Sequence, residues 1–196
     1  MVKTEENNIY NTLQKESRNQ PMDEEDYDII RMVIHGSVND YAILVNRYQV
    51  PVYNLFLRML HDREEAKEMT QAVFVKAYEA LPTFRFSHRF FSWLYRIAIN
   101  MALNHLKKKK KYVGMEQLIN MSAETDEQKS ETDALMKKAV DQLKNQYKAV
   151  VVLKYYQQLS YREIAFALEI PEKKVRSRLY DARLQLKEKL EESGYY

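Results

Sequence analysis

The chain has 196 residues, with three glycines, four prolines and no cysteine, and a formal net charge of only +3. So little turn chemistry leaves few routes to hairpins and points to an all-α protein. The missing cysteines exclude a disulfide framework and a thiolate metal site, and the length allows one medium domain or two small ones.

The small net charge is the sum of unlike parts. Residues 1–30 hold three basic against eight acidic side chains, and residues 137–190 hold thirteen basic against six acidic. That asymmetry directs nucleic-acid contact to the basic parts, with a merely soluble surface as the alternative.

Residues 1–22 lack apolar periodicity and carry no apolar leader, so they read as a flexible N-terminal extension. No apolar run is long enough to cross a bilayer, and the chain reads as soluble and intracellular. Helices are expected from Glu24 to His35 and from Asp40 to about Leu60, the second interrupted or kinked near Pro51. The acidic run Asp23-Glu24-Glu25-Asp26 suits a helix start better than a metal site. Four histidines, His35, His61, His88 and His105, show no ligand spacing, and no metal is expected.

From Asp62 to Leu81, residues Ala66, Met69, Val73, Phe74, Ala77 and Leu81 keep helical spacing, and Pro82 ends the helix. Glu65, Glu68, Gln71 and Lys76 lie away from that stripe, as a protein-docking surface or an ordinary solvated face.

Between Phe84 and Lys111 the chain mixes aromatic, basic and amide side chains on a helical repeat. Phe90, Leu94, Ile97, Ala98 and Met101 form an apolar stripe. Trp93, Arg96, Asn100, Asn104 and Lys107 fall opposite, so one exposed strip offers a stacking ring, fixed positive charge and amides able to read a base edge. The alternative puts Trp93 in the core and makes the lysine run a helix end that complements the dipole.

Residues 113–133 are acidic and poor in apolar side chains, the composition of a flexible linker between two small helical domains. Beyond it, helices are expected from Glu131 or Ala134 to about Leu143 and from Gln146 to Gln157. Ser160 followed by Glu163 is a capping box that starts a short helix carrying Ile164, Ala165 and Leu168. A Glu169-Ile170-Pro171 turn leads to a longer helix from about Glu172, the pattern of a helix-turn-helix. Val175, Leu179, Ala182 and Leu186 line its buried side. Lys173, Ser177 and Tyr180 point outward, flanked by Lys174, Arg176 and Asp181, where a recognition helix enters a major groove.

Three segments, Glu65-Ala66-Lys67-Glu68-Met69-Thr70-Gln71-Ala72-Val73-Phe74, Phe90-Phe91-Ser92-Trp93-Leu94-Tyr95-Arg96-Ile97-Ala98-Ile99-Asn100, and Leu159-Ser160-Tyr161-Arg162-Glu163-Ile164-Ala165 with Val175-Arg176-Ser177-Arg178-Leu179, carry a family resemblance. From about Asp23 to Leu190 the chain resembles the extracytoplasmic-function sigma factors of bacterial RNA polymerase. The resemblance implies a promoter-melting domain, region 2, over 23–112, a linker over 113–133, and a helix-turn-helix domain, region 4, over 134–192.

It implies core RNA polymerase as partner, through the clamp of the largest subunit and the flap of the second largest, with Glu65, Glu68 and Gln71 on the clamp. Phe84, Arg85, His88 and Arg89 would hold a base flipped from the −10 element, with Asn100 beside that pocket, Trp93 and Arg96 near the upstream fork, and Asn104 and Lys107 also on −10 DNA. Lys173, Lys174, Arg176, Ser177, Arg178 and Tyr180 would face the −35 element. It further implies an anti-sigma factor, which would hold this cytoplasmic protein near the membrane without direct membrane insertion. No catalytic residue, cofactor or small-molecule substrate is implied.

Three positions depart from the family pattern: Ala72 where an acidic residue commonly follows the glutamine, Asp181 where a basic residue is frequent, and Lys144-Asn145 where a proline often begins a helix. The rival readings are a helix-turn-helix regulator that never melts DNA, which leaves the Phe84–Asn100 aromatics without a task, and a helical metalloenzyme, which lacks a ligand constellation and a Gly-rich phosphate loop.

Overall fold

The computed structural model describes residues 23–113 and 131–193, and every regular element among them is helical. The expected N-terminal extension and most of the expected linker lie outside the described residues. The described helices fall into two compact units.

In the first unit, α1 spans Asp23–Ile34, α2 Tyr41–Leu60, α3 Arg63–Ala80 and α4 Phe90–Val113. Helix α1 buries Asp26, Ile29, Ile30 and Val33, an i, i+3, i+4, i+7 face laid on α2. It ends in a Schellman motif, with Gly36 at φ 109°, its N–H on the Val33 carbonyl at 3.1 Å, and the Ser37 N–H on the Met32 carbonyl at 3.0 Å.

Helix α2 buries Leu44, Tyr48, Val52, Leu55, Phe56, Met59 and Leu60. The interruption expected at Pro51 does not occur. The helix continues through it, because this apolar face packs against α1 and α3 on both sides of the proline and outweighs one missing N–H. Helix α3 starts where the Asp62 carboxylate accepts from the Glu65 N–H at 2.8 Å, with Glu64 and Glu65 favouring the positive end of the dipole.

Helix α4 buries Phe90, Phe91, Leu94, Tyr95, Ala98, Ile99 and Ala102. This arc is broader than the expected stripe and turned from it, since Ile97 and Met101 are only half-buried and the second aliphatic-aromatic row takes their place.

In the second unit, α5 spans Glu131–Asp141, α6 Asn145–Val151, α7 Tyr161–Leu168 and α8 Glu172–Glu192. Helices α5 and α6 pack on α8, which buries Val175, Leu179, Ala182, Leu186 and Leu190. The single helix expected to run to Gln157 instead widens over Val152–Tyr156, where the Gln157 N–H reaches back five residues to the Val152 carbonyl at 3.1 Å. On α7 it is Ile164 and Ala167 that are fully buried, while Ala165 and Leu168 are half-buried.

Candidate nucleic-acid and polymerase interface

On α3, Glu68 and Gln71 are exposed, whereas Glu65 is half-buried with a carboxylate oxygen 3.2 Å from His105 Nε2 of α4. The three expected docking residues are thus not equivalent. Val75, 59% exposed, and Tyr78 extend the Glu68-Gln71 stripe at helical spacing. Neither was foreseen from the sequence, since an apolar residue on α3 is read by default as core. Ala72 is half-buried beside that stripe.

The connection from α3 to α4 is built on rings. Phe84 is buried, with its centroid 5.2 Å from Phe86, 5.9 Å from Phe90 and 5.5 Å from Trp93, and Phe90 lies 5.4 Å from Tyr48 in the core. Such edge-to-face packing makes a stiff platform. Phe84 therefore lies beneath the loop.

Arg85, Phe86 and Ser87 are exposed above it, and His88 and Arg89 are half-buried, the Arg89 guanidinium 4.1 Å from the Phe91 centroid. Phe86, the exposed ring of the loop, was not among the expected residues; the signal available was the second ring of Phe-Arg-Phe.

Opposite the buried arc of α4 lie Trp93, Arg96, Asn100, Asn104 and Lys107. Only Asn104 and Lys107 are fully exposed; Trp93, Arg96 and Asn100 are half-buried. Trp93 belongs partly to the ring platform, between Phe84 and Phe90 at 5.7 Å. The core reading and the surface reading of this tryptophan are each half right.

In the second unit the capping box forms in both directions: the Glu163 N–H donates to Ser160 Oγ at 3.2 Å, and the Ser160 N–H donates to Glu163 Oε2 at 2.8 Å. Glu169 takes the left-handed conformation, φ 54°, and the Ile170 N–H reaches the Ala165 carbonyl at 3.1 Å, closing the turn before α8.

The first turns of α8 present Lys173, Lys174, Arg176, Ser177 and Tyr180 to solvent, Tyr180 at 64% exposure. Arg176 is oriented by Glu172 at 3.6 Å and by the Tyr161 ring at 5.8 Å. Arg178 is half-buried, and its Nε is sealed from solvent without a hydrogen-bond partner. Asp181 is half-buried one turn further on.

Among the described residues no helix is long and apolar enough to cross a membrane, and no group of three or more His, Cys, Asp or Glu side chains is gathered to hold a metal ion. What the two units offer is exposed basic and aromatic side chains, Arg85, Phe86 and Lys107 on the first and Lys173, Lys174, Arg176 and Tyr180 on the second, which suits polynucleotide contact.

Comparison with known proteins agrees with that surface. Residues 44–112 match the family model of sigma-70 region 2, and residues 134–186 that of sigma-70 region 4. The chain is 33% identical to the RNA polymerase sigma-H factor of Pseudomonas aeruginosa over 175 residues, covering 82% of this chain and 91% of that one. It belongs to the sigma-70 family of RNA polymerase sigma factors.

Within that family it is an extracytoplasmic-function sigma factor, 31% identical over 176 residues to the protein of that group named SigW in Bacillus subtilis, with 82% of this chain and 94% of the relative covered. The fold agrees with two solved structures: the sigma factor RpoE bound to the anti-sigma factor NepR from Bartonella quintana, at 18% identity and a TM-score of 0.65 over 79% of this chain and 97% of that one, and CnrH bound to the cytosolic domain of CnrY, at 22% and 0.64 over 83% and 95%. As a sigma factor the chain binds core RNA polymerase and directs promoter recognition and transcription initiation; such factors are regulatory, non-catalytic subunits.

Proposed function

We propose a division of that activity between named residues. Residues 23–112 act as the unit that docks and melts, residues 134–192 as the unit that binds duplex DNA, and residues 113–133 as the tether. Glu65, Glu68 and Gln71, extended by Val75 and Tyr78, meet the clamp of the largest subunit; the second unit meets the flap of the second largest.

The loop over 84–89 captures an unpaired base of the −10 element, with Arg85, His88 and Arg89 around it, Phe86 as its exposed ring and Phe84 as its floor. Trp93, Arg96, Asn100, Asn104 and Lys107 guide the strand along α4. Lys173, Lys174, Arg176, Ser177, Arg178 and Tyr180 face the −35 element. The observation that carries this reading is the exposed Arg85-Phe86-Ser87 segment on a rigid platform of buried rings.

Magnitudes support it. Opening a duplex costs about 1–2 kcal/mol per base step, and stacking a base on an aromatic side chain returns about 1–3 kcal/mol, so a few captured bases tip an equilibrium without nucleotide hydrolysis. The chain works in the cytoplasm. An anti-sigma factor is its regulatory partner, as the RpoE–NepR complex suggests, and would hold it near the membrane where that factor is anchored.

The test is a pair of substitutions read by transcription from promoters altered in one element at a time. Asn100→Ala is expected to weaken initiation through the −10 element and leave core binding intact; Arg176→Ala is expected to change the −35 profile alone. Loss of core binding in the first, or an unchanged −35 profile in the second, contradicts the assignment.

A further inference from the structure

The region 2 match begins at residue 44, so α1 lies outside it. Yet α1 reaches the loop at three points. Tyr27 donates its hydroxyl to the His88 carbonyl at 3.2 Å, and its ring lies 6.1 Å from Phe84 and 5.6 Å from Phe86. One turn on, the Arg31 guanidinium sits 5.0 Å from the Phe86 centroid, steadied by Asp28 at 2.8 Å.

Tyr27 and Arg31 are four residues apart and share a face, while the neighbouring Asp26 fixes α1 to α2 through Arg47 and Tyr48. The loop is thereby braced from beneath by Phe84 and from the side by α1. A backbone carbonyl held by a side chain sixty-one residues away sets the orientation of the neighbouring peptides, which orient the side chains that face DNA.

We infer that Tyr27, seconded by Arg31, is a positioning residue for −10 recognition: it sets the conformation of the loop without touching the base. The inference rests on the assignment of that loop to the −10 element. It separates Tyr27 from an ordinary packing residue by what should change, namely base preference and not overall affinity.

Holoenzyme assembled from the full chain and core polymerase is given a duplex containing a randomised unpaired segment, and the bound DNA is sequenced. Arg85→Ala serves as the reference for the loop. Tyr27→Phe, which keeps the ring and folds if any variant does, is expected to lower the preference for the favoured base by about five-fold, the equivalent of one hydrogen bond, at the positions that Arg85→Ala affects. Tyr27→Ala is expected to lower it further, and core affinity to stay unchanged in both.

If Arg85→Ala shifts the preference while both Tyr27 variants keep the wild-type profile, or lower binding to all sequences equally, the inference is overturned and the loop assignment stands. If Arg85→Ala also leaves the profile unchanged, the loop assignment fails and the inference with it.

Discussion

Asp26 of α1 and Arg47 of α2 meet at 2.6 Å, the carboxylate fully buried and also accepting from the Tyr48 hydroxyl, while the second Arg47 nitrogen reaches Glu25 at 3.0 Å. Burial, and then the hydrogen bond to Asp26, push the Tyr48 phenol far above its ordinary range, so it remains a donor. Removing the carboxylate leaves a buried hydroxyl unpaired and a guanidinium with only its outer partner. Asp26→Ala is expected to destabilise the first unit by about 3 kcal/mol. The chain has one tryptophan, Trp93, in that unit, so its fluorescence in a denaturant titration reads the loss directly. A change below about 1 kcal/mol contradicts the role given to this pair.

Gly36 closes α1 at positive φ, and a Cβ built there meets nothing within 4 Å. Gly36→Ala therefore brings backbone strain without a clash, expected at about 1–2 kcal/mol. The same tryptophan titration checks it, and a neutral result would show that the turn relaxes to another conformation.

These two positions show where sequence reading ends. The helices of both units, the capping box at Ser160 and the outward residues of α8 were legible because each depends on local periodicity or on pairs three or four residues apart. Asp26 was read as one of four acids starting a helix, since nothing local says that it is the one turned inward to meet Arg47. An interruption at Pro51 is what its local cost suggests, and the packing that carries the helix through it is not visible in the sequence. For Trp93 the sequence leaves a surface and a core position open, and nothing in it places Phe84 beneath the loop, because ring clusters form between elements and are set by tertiary geometry. The loop residues were identified largely through family resemblance.

Lys148 is buried on α6, its ammonium 3.9 Å from Asp141. Burial lowers its pKa, and Asp141 only partly restores it. With the folded pKa below the ordinary 10.5, the unfolded chain holds more protons between the two values, so stability of the second unit rises as pH climbs through the folded pKa toward 10.5. Lys148→Met is expected to abolish that rise and to stabilise this unit by about 1 kcal/mol at neutral pH. Amide exchange in α5 to α8, followed against pH, distinguishes this from a lysine whose charge the fold requires, for which the substitution would speed exchange.

The reciprocal bonds between Ser160 and Glu163 fix the start of α7. Ser160→Ala is expected to cost about 1 kcal/mol, and Glu163→Ala added to it less than a second increment, because the two bonds close one box. Amide exchange at the start of α7 is the measurement. Full additivity would mean that the two side chains act separately.

As a sigma factor, this chain is expected to program core RNA polymerase to start transcription at promoters of its own. Run-off transcription with purified core polymerase, the full chain and a pool of genomic promoter fragments tests it most directly. Discrete transcripts that appear only with the chain, from starts preceded by one shared −10 and one shared −35 element, are the result expected. Bound DNA fragments with no transcript would contradict the account and favour a regulator that reads duplex DNA through α8 alone.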